Sequence, residues 1–305
     1  MGAFPTLNFL HDWSVIILRD IFVTKQDWSP EYRNQKVPPL EGGQHGSVRL
    51  INELTGEPIA SQFNLDKILL EDKYRLRKYL NGLEDWDDKL SKKTSNGSAR
   101  ISGIRSESRV FGVTPPVPMR MRHGCGYSRF NLQYPEIYAL LTSVIERAEG
   151  VLTEYMPEMF ERHQRLVGDS VHPDWRIGKS HFTSGNINNT AALPYHKDRG
   201  NIKGTVNIMV CVRAGVEGGS LHLPEWGTNL AIPDWSISTF DGQSYWHGVA
   251  PFTRTKKDAH RYTIVYYAKQ AITDGVAFED EPARAALRAT NASTDYSQPA
   301  EKSFT

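Results

Sequence analysis

The hydrophobic period of this chain changes at Trp175, and that change restricts the fold more than any other feature. Upstream, Pro135 opens a helical stretch in which Ile137, Leu140, Leu141, Val144 and Ile145 form one apolar stripe. Leu152, Tyr155, Met156, Met159, Phe160 and Leu166 predict a second helix packed beside it. Downstream the pattern alternates. The segments GKSHFTSG, TVNIMVCVR, GSLHLPE, TNLAIP, WSISTFDG and RYTIVYYAK are short, rich in β-branched and aromatic residues, and separated by Gly, Pro or Asp. Six such strands at that spacing predict an antiparallel sandwich or barrel with helices supporting it, an α+β fold.

The rest of the chain is arranged around this core. Residues 1–90 read as a helical and irregular accessory region, with a helix in NLDKILLEDKYRLRKYLNGL, capped by Asn64 and ended by Asn81-Gly82. Residues 91–104 are Ser-, Gly- and Lys-rich and read as a basic flexible linker or loop, 105–273 as the catalytic domain, and 274–305 as a loosely attached polar tail with a helical patch from Pro282 to Arg288. The two cysteines, Cys125 and Cys211, exclude a disulfide framework or a cysteine-rich zinc module and suit a reducing interior. The opening residues lack a basic stretch ahead of the apolar WSVIILR, which is itself too short to span a bilayer. An intracellular protein is expected, with no membrane partner and no obligate protein partner.

His196 and Asp198 stand two apart in PYHKDRGN, so on a strand they share a face and in a turn they can aim at one point. His247, in DGQSYWHGVAPF, supplies a third donor from another segment. Two histidines and one carboxylate on one face of a metal leave the opposite positions open, as in non-haem Fe(II) oxygenases. Arg261 follows His247 by fourteen residues, with Thr263 on the same strand face. A guanidinium fork suits the far carboxylate of a dicarboxylate co-substrate, and the threonine adds a hydroxyl donor. The competing interpretation makes HKD a polar turn between strands and Arg261 a strand-end surface charge.

HKDRGN, VEGGSLHLPEWG, STFDGQSYWHGVAPF and HRYTIVYY, taken together over residues 177–270, resemble an Fe(II)/2-oxoglutarate dioxygenase of the ten-eleven translocation and J-base-binding-protein (TET/JBP) family, in a compact microbial or phage-like form. The resemblance implies a double-stranded β-helix (jelly-roll) core and the co-substrates 2-oxoglutarate and O2. It makes His196, Asp198 and His247 the Fe(II) ligands, and Arg261 with Thr263 the 2-oxoglutarate clamp. It also implies that Asn201 hydrogen-bonds a target base and that Tyr267 stacks on it. Lys269 stands where animal members carry a histidine, and two cysteines cannot build their zinc-bound region.

What the resemblance implies as substrate is DNA carrying a 5-methylpyrimidine: 5-methylcytosine oxidised to 5-hydroxymethylcytosine and beyond, with thymine in DNA, or a protein or small molecule, as the rival substrates. The whole chain is nearly neutral, with 36 basic against 35 acidic residues, so global charge does not select a polyanion. Locally, nine Lys/Arg lie between Lys89 and Phe130 against the single acid Glu107, a block suited to phosphate contacts or to a solvated linker. Arg109 within it is a further candidate for the cofactor pocket. A base to be oxidised at its 5-methyl group must leave the stack, which fits a stacking ring and an amide in one pocket.

Overall fold

The structure is a computed structural model and describes residues 16–295 apart from 29, 30, 32, 41, 66–69, 84–106, 190 and 191. The strands are β1 (Leu18–Val23), β2 (Ser47–Asn52), β3 (Pro58–Asn64), β4 (Glu107–Thr114), β5 (Gly126–Tyr127), β6 (Ser184–Asn189) and β7 (Asn207–Ala214). They continue as β8 (Val216–Gly218), β9 (Leu221–Leu223), β10 (Thr228–Leu230), β11 (Ser236–Phe240), β12 (Gly248–Val249), β13 (Phe252–Arg254) and β14 (His260–Tyr267). The helices are α1 (Leu70–Asn81), α2 (Arg129–Gln133), α3 (Pro135–Tyr155), α4 (Pro157–Ser170) and α5 (Glu281–Asp295).

Nine strands form one sheet in the order β1-β2-β3-β11-β7-β14-β6-β4-β5, antiparallel except for β1 with β2. Two small sheets, β10-β9-β12 and β13-β8, complete the strand set of the jelly roll. The alternation that defined the strands in sequence sorts each one between two environments. On β14, Tyr262, Ile264 and Tyr266 join the core made with α1, α3 and α4, whereas Arg261, Thr263, Val265 and Tyr267 line a cavity on the opposite face. On β7, Ile208, Val210 and Val212 go to the helices, and Met209 and Cys211 pack with Leu221, Leu223 and Leu230 of the small sheet.

The helices stiffen the sheet from behind. The α3 stripe is buried as its spacing requires, and the Tyr266 hydroxyl donates to the Leu141 carbonyl at 2.9 Å, so burying that ring leaves its polar tip satisfied. Helix α1 is fastened to the sheet end by Lys73 and Arg77, which both reach Asp234. His163 of α4 is fully buried between the Phe160 and Phe182 rings. Its Nδ1 accepts from the Val206 amide and its Nε2 faces the His181 carbonyl, which fixes a neutral Nε2–H ring, and burial pushes its pKa down to about 3.

Three local expectations meet a different outcome. Asn64 ends strand β3, with its backbone amide donating to the Ser47 hydroxyl across the sheet, and it does not cap α1: its side-chain Oδ1, the group a cap would use, has no hydrogen-bond partner among the described residues. The N-terminal pieces read as irregular include β1, β2 and β3, which extend the large sheet through the pairing of β3 with β11. The region after residue 273 is docked as far as α5: Trp175 donates to the Val276 carbonyl, and the buried Glu281 carboxylate accepts from the Cys125 and Val276 amides. The linker at 91–104 lies outside the described residues.

Candidate active site

His196 and His247 face one another across an isolated antiparallel bridge, each amide donating to the other's carbonyl at 2.9 and 3.0 Å. Backbone pairing thus brings two residues fifty-one positions apart to a ring separation of 4.3 Å. Asp198 is held beside them by its own amide, which donates to the Gly242 carbonyl at 2.7 Å. The turn that follows needs Gly200, whose φ of 91° is one that L side chains rarely adopt.

The imidazole orientations are fixed by carbonyls. His196 Nδ1 donates to the Pro194 carbonyl at 2.8 Å and His247 Nδ1 to the Tyr245 carbonyl at 3.1 Å. A carbonyl only accepts, so each Nδ1 carries the proton and each Nε2 presents its lone pair. Those Nε2 atoms lie 3.6 and 3.8 Å from the two Asp198 oxygens, and the three donor groups all fall within 4.8 Å of one another. Burial, followed by the neighbouring His196, pushes the His247 pKa down to about 4 against the opposing pull of Asp198. His247 is therefore neutral and able to ligate at pH 7. Among the described residues this is the one group of three or more such side chains placed to hold a metal ion.

The cluster opens into a cavity of about 840 Å³ that also receives Arg261, Thr263, Asn201 and Tyr267. Arg261 is 2% exposed, its pKa is lowered by burial, and its Nη2 donates to the Gly219 carbonyl at 2.8 Å. Thr263 lies two residues on, on the same face, 4% exposed. Tyr267 is buried, which raises its hydroxyl pKa, and the Lys269 ammonium sits 5.5 Å from the centre of its ring. Burial and then nearby Arg122 lower the Lys269 pKa. The Asn201 amide donates to Asn207 Oδ1 at 3.0 Å.

All seven residues singled out in the sequence thus line one cavity. Arg109 does not: it pairs with Ile187 across β4 and β6, so it shares the helix-facing side with Ile187 and Phe111. Of the basic block, Lys89, Lys92, Lys93, Arg100 and Arg105 lie outside the described residues. Sequence reasoning missed other cations in the cavity wall, where Arg33, Lys197 and Arg199 join Arg261 and Lys269 around a single acid, Asp198. It also missed Asn207, whose Nδ2 donates to Asp198 Oδ2. The available signal was a lone amide in the apolar run TVNIMVCVR.

Comparison with known proteins decides the family. The model of the Tet/JBP oxygenase domain, of the 2-oxoglutarate- and iron-dependent dioxygenase superfamily, matches residues 122–270. Residues 122–270 belong to the Tet/JBP oxygenase family. The chain is accordingly an Fe(II)/2-oxoglutarate-dependent dioxygenase. Among solved structures, NgTET1 in complex with 5mC DNA is similar over 84% of this chain and 85% of its own, with 11% identity and a TM-score of 0.57, a likeness of fold. A bsmA homologue from Methylobium petroleophilum covers 67% of this chain and 83% of its own, with 12% identity and a TM-score of 0.33. No curated protein matches the sequence. Among the described residues of the oxygenase, no helix is long and apolar enough to cross a membrane.

The donor set fits the iron that the family requires. Two imidazoles turned by their Nδ1–carbonyl bonds and one carboxylate converge from one side, leaving the cavity side open for a chelating co-substrate.

Proposed function

We propose that the oxygenase acts on DNA and converts 5-methylcytosine to 5-hydroxymethylcytosine. The observation that carries this reading is the composition of one cavity: a two-histidine, one-carboxylate cluster, a buried arginine and a threonine on one strand face, a tyrosine and an amide, and five cations around one acid.

Each part has a task in that reaction. His196, Asp198 and His247 hold the Fe(II). Iron held there would let O2 act as the oxidant, taking two electrons from 2-oxoglutarate, which would leave as succinate and CO2, and two from the methyl C–H bond, which would become C–OH. The Arg261 fork holds the far carboxylate of the co-substrate, and the Thr263 hydroxyl adds a donor to it. Because the arginine is buried, this charge-assisted contact forms away from competing water. Tyr267 stacks on the extruded pyrimidine and Asn201 bonds its polar edge, offsetting the cost of unstacking. Arg33 and Arg199, exposed at the cavity wall, are free to meet the phosphates on either side of the extruded nucleotide. The known 5mC DNA complex of NgTET1 supports the same substrate class.

The test supplies purified enzyme with Fe(II), 2-oxoglutarate and matched duplexes, methylated or not, followed by nucleoside mass spectrometry. 5-Hydroxymethylcytosine from the methylated duplex is expected. 5-Hydroxymethyluracil from both duplexes makes thymine the substrate, and unchanged DNA with turnover on a protein or small molecule removes DNA from the account.

A further inference from the structure

Asn201 and Asp198 are joined by one residue. Asn207, at the start of β7 and 1% exposed, donates from Nδ2 to Asp198 Oδ2 at 2.5 Å and accepts at Oδ1 from Asn201 Nδ2 at 3.0 Å. The carboxylate of Asp198 only accepts, so Asn207 must turn its NH2 toward it. Its carbonyl oxygen must then face Asn201, and Asn201 must answer with its own NH2. The direction of both amides is thereby set by the charge of the metal-facing carboxylate. Flipping Asn201 would put two carbonyl oxygens against each other in a buried site. The wall behind is equally restrictive: a Cβ at Gly242 would collide with Asn207 Nδ2 and Asp198 Oδ2.

We infer that Asn207 is a positioning residue with two effects: it orients Asp198 for the metal, and it locks the polarity of the Asn201 amide so that the pocket prefers one 5-methylpyrimidine. The second effect rests on the DNA reading above. An amide free to rotate serves either base, because 5-methylcytosine offers an acceptor at N3 beside an amino donor, and thymine offers an N3–H donor beside a carbonyl. An amide locked end-for-end matches one of these patterns and opposes the other. Its neighbour Lys269 is not part of this chain of bonds; it pairs with Asn201 through the backbone bridge alone.

Two variants separate the effects. Asn207→Leu keeps the branched shape and the number of heavy atoms with no polar atoms; Asn207→Asp keeps an acceptor toward Asn201. The first measurement is anaerobic Fe(II) binding, read by the visible charge-transfer band that forms with 2-oxoglutarate, with no DNA present. Asn207→Leu is expected to weaken Fe(II) binding about 10- to 100-fold, the size typical of removing a hydrogen-bond partner behind a metal ligand. Unchanged Fe(II) affinity overturns the first effect. The second measurement is the ratio of kcat/KM for a duplex containing 5-methylcytosine against one containing thymine at the same position. The wild type should favour one base by about tenfold or more, Asn207→Leu should lose most of that ratio, and Asn207→Asp should keep it. Equal use of both bases by the wild type, or a ratio unaltered in Asn207→Leu, overturns the second effect. A residue that merely filled space would give Asn207→Asp and Asn207→Leu the same ratio. Thermal melts verify folding, and if Asn207→Leu does not fold, Asn207→Ser, too short to reach both neighbours, takes its place. If the wild type oxidises neither duplex, the DNA reading fails, and the Fe(II) arm alone decides the inference.

Discussion

Replacing Arg261 by Met separates co-substrate binding from folding, and the structure sets the expected size of each. The guanidinium is 2% exposed and its pKa is lowered by burial, so the folded chain bears a solvation cost for holding it. Methionine refills the volume of the stem and removes that cost, against the loss of the bond to the Gly219 carbonyl, worth about 1 kcal/mol. Without co-substrate the variant should therefore lie within about 1 kcal/mol of the wild type. Two charge-assisted hydrogen bonds to the 2-oxoglutarate carboxylate contribute roughly 1.5–3 kcal/mol each, so their loss raises Kd by roughly 100-fold or more. At a concentration of 2-oxoglutarate 100 times the wild-type Kd, the wild type gains about 2.7 kcal/mol of stability and the variant about 0.4. The assay is urea unfolding of the Fe(II) form under anaerobic conditions, with and without 2-oxoglutarate. Arg261→Lys, which retains charge but not the fork, should fall between. Equal co-substrate stabilisation in Arg261→Met and wild type would refute the clamp. A metal-free Arg261→Met that loses several kcal/mol would show instead that the residue serves the fold.

Other perturbations have equally definite outcomes. Neutralising Arg33 and Arg199 together should weaken duplex binding and flatten the slope of log Kd against log salt by about 0.9 for each phosphate that is no longer neutralised; a slope equal to that of wild type would place the DNA elsewhere. The pH dependence of the metal-free fold follows from His163 and His247, whose pKa values stand at about 3 and about 4 against an ordinary 6.5. Below pH 6.5 the unfolded chain takes up protons that the folded chain refuses, so stability falls as pH falls, by about 2 kcal/mol between pH 6 and 5 for the pair. Denaturant midpoints measured across that interval check this, and a flat profile contradicts the neutral buried rings. Gly242→Ala should displace Asp198 and Asn207 and weaken Fe(II) binding in equilibrium dialysis while the chain stays folded, since the added methyl has nowhere else to go. Fe(II) affinity equal to wild type would show that the site can relax around it.

The sheet and the site were legible in the sequence to different depths. The helix–strand division at Trp175 survived because period is a local property: the α3 stripe and the alternation of β7, β11 and β14 each depend on their own burial alone. Strands β1 to β3 did not register, because their membership of the sheet depends on β3 finding β11, about 170 residues later. His196 and Asp198 stood out as neighbours in sequence, while their convergence with His247 needed a backbone bridge that no spacing rule reports. Arg109 was misread because a basic residue near a basic block looks functional; only the pairing with Ile187 tells which face it occupies. Asn207 stayed hidden in an apolar strand since its role exists only through Asp198 and Asn201.

Coupling of 2-oxoglutarate turnover to a methylated base in this cavity is read from succinate formation in the presence of DNA. With Fe(II) and O2 supplied, a duplex carrying 5-methylcytosine should raise the rate of succinate release well above that with the identical unmethylated duplex, and His196→Ala with Asp198→Ala should abolish it. Succinate released at one rate with both duplexes, or undiminished in the double variant, would contradict it.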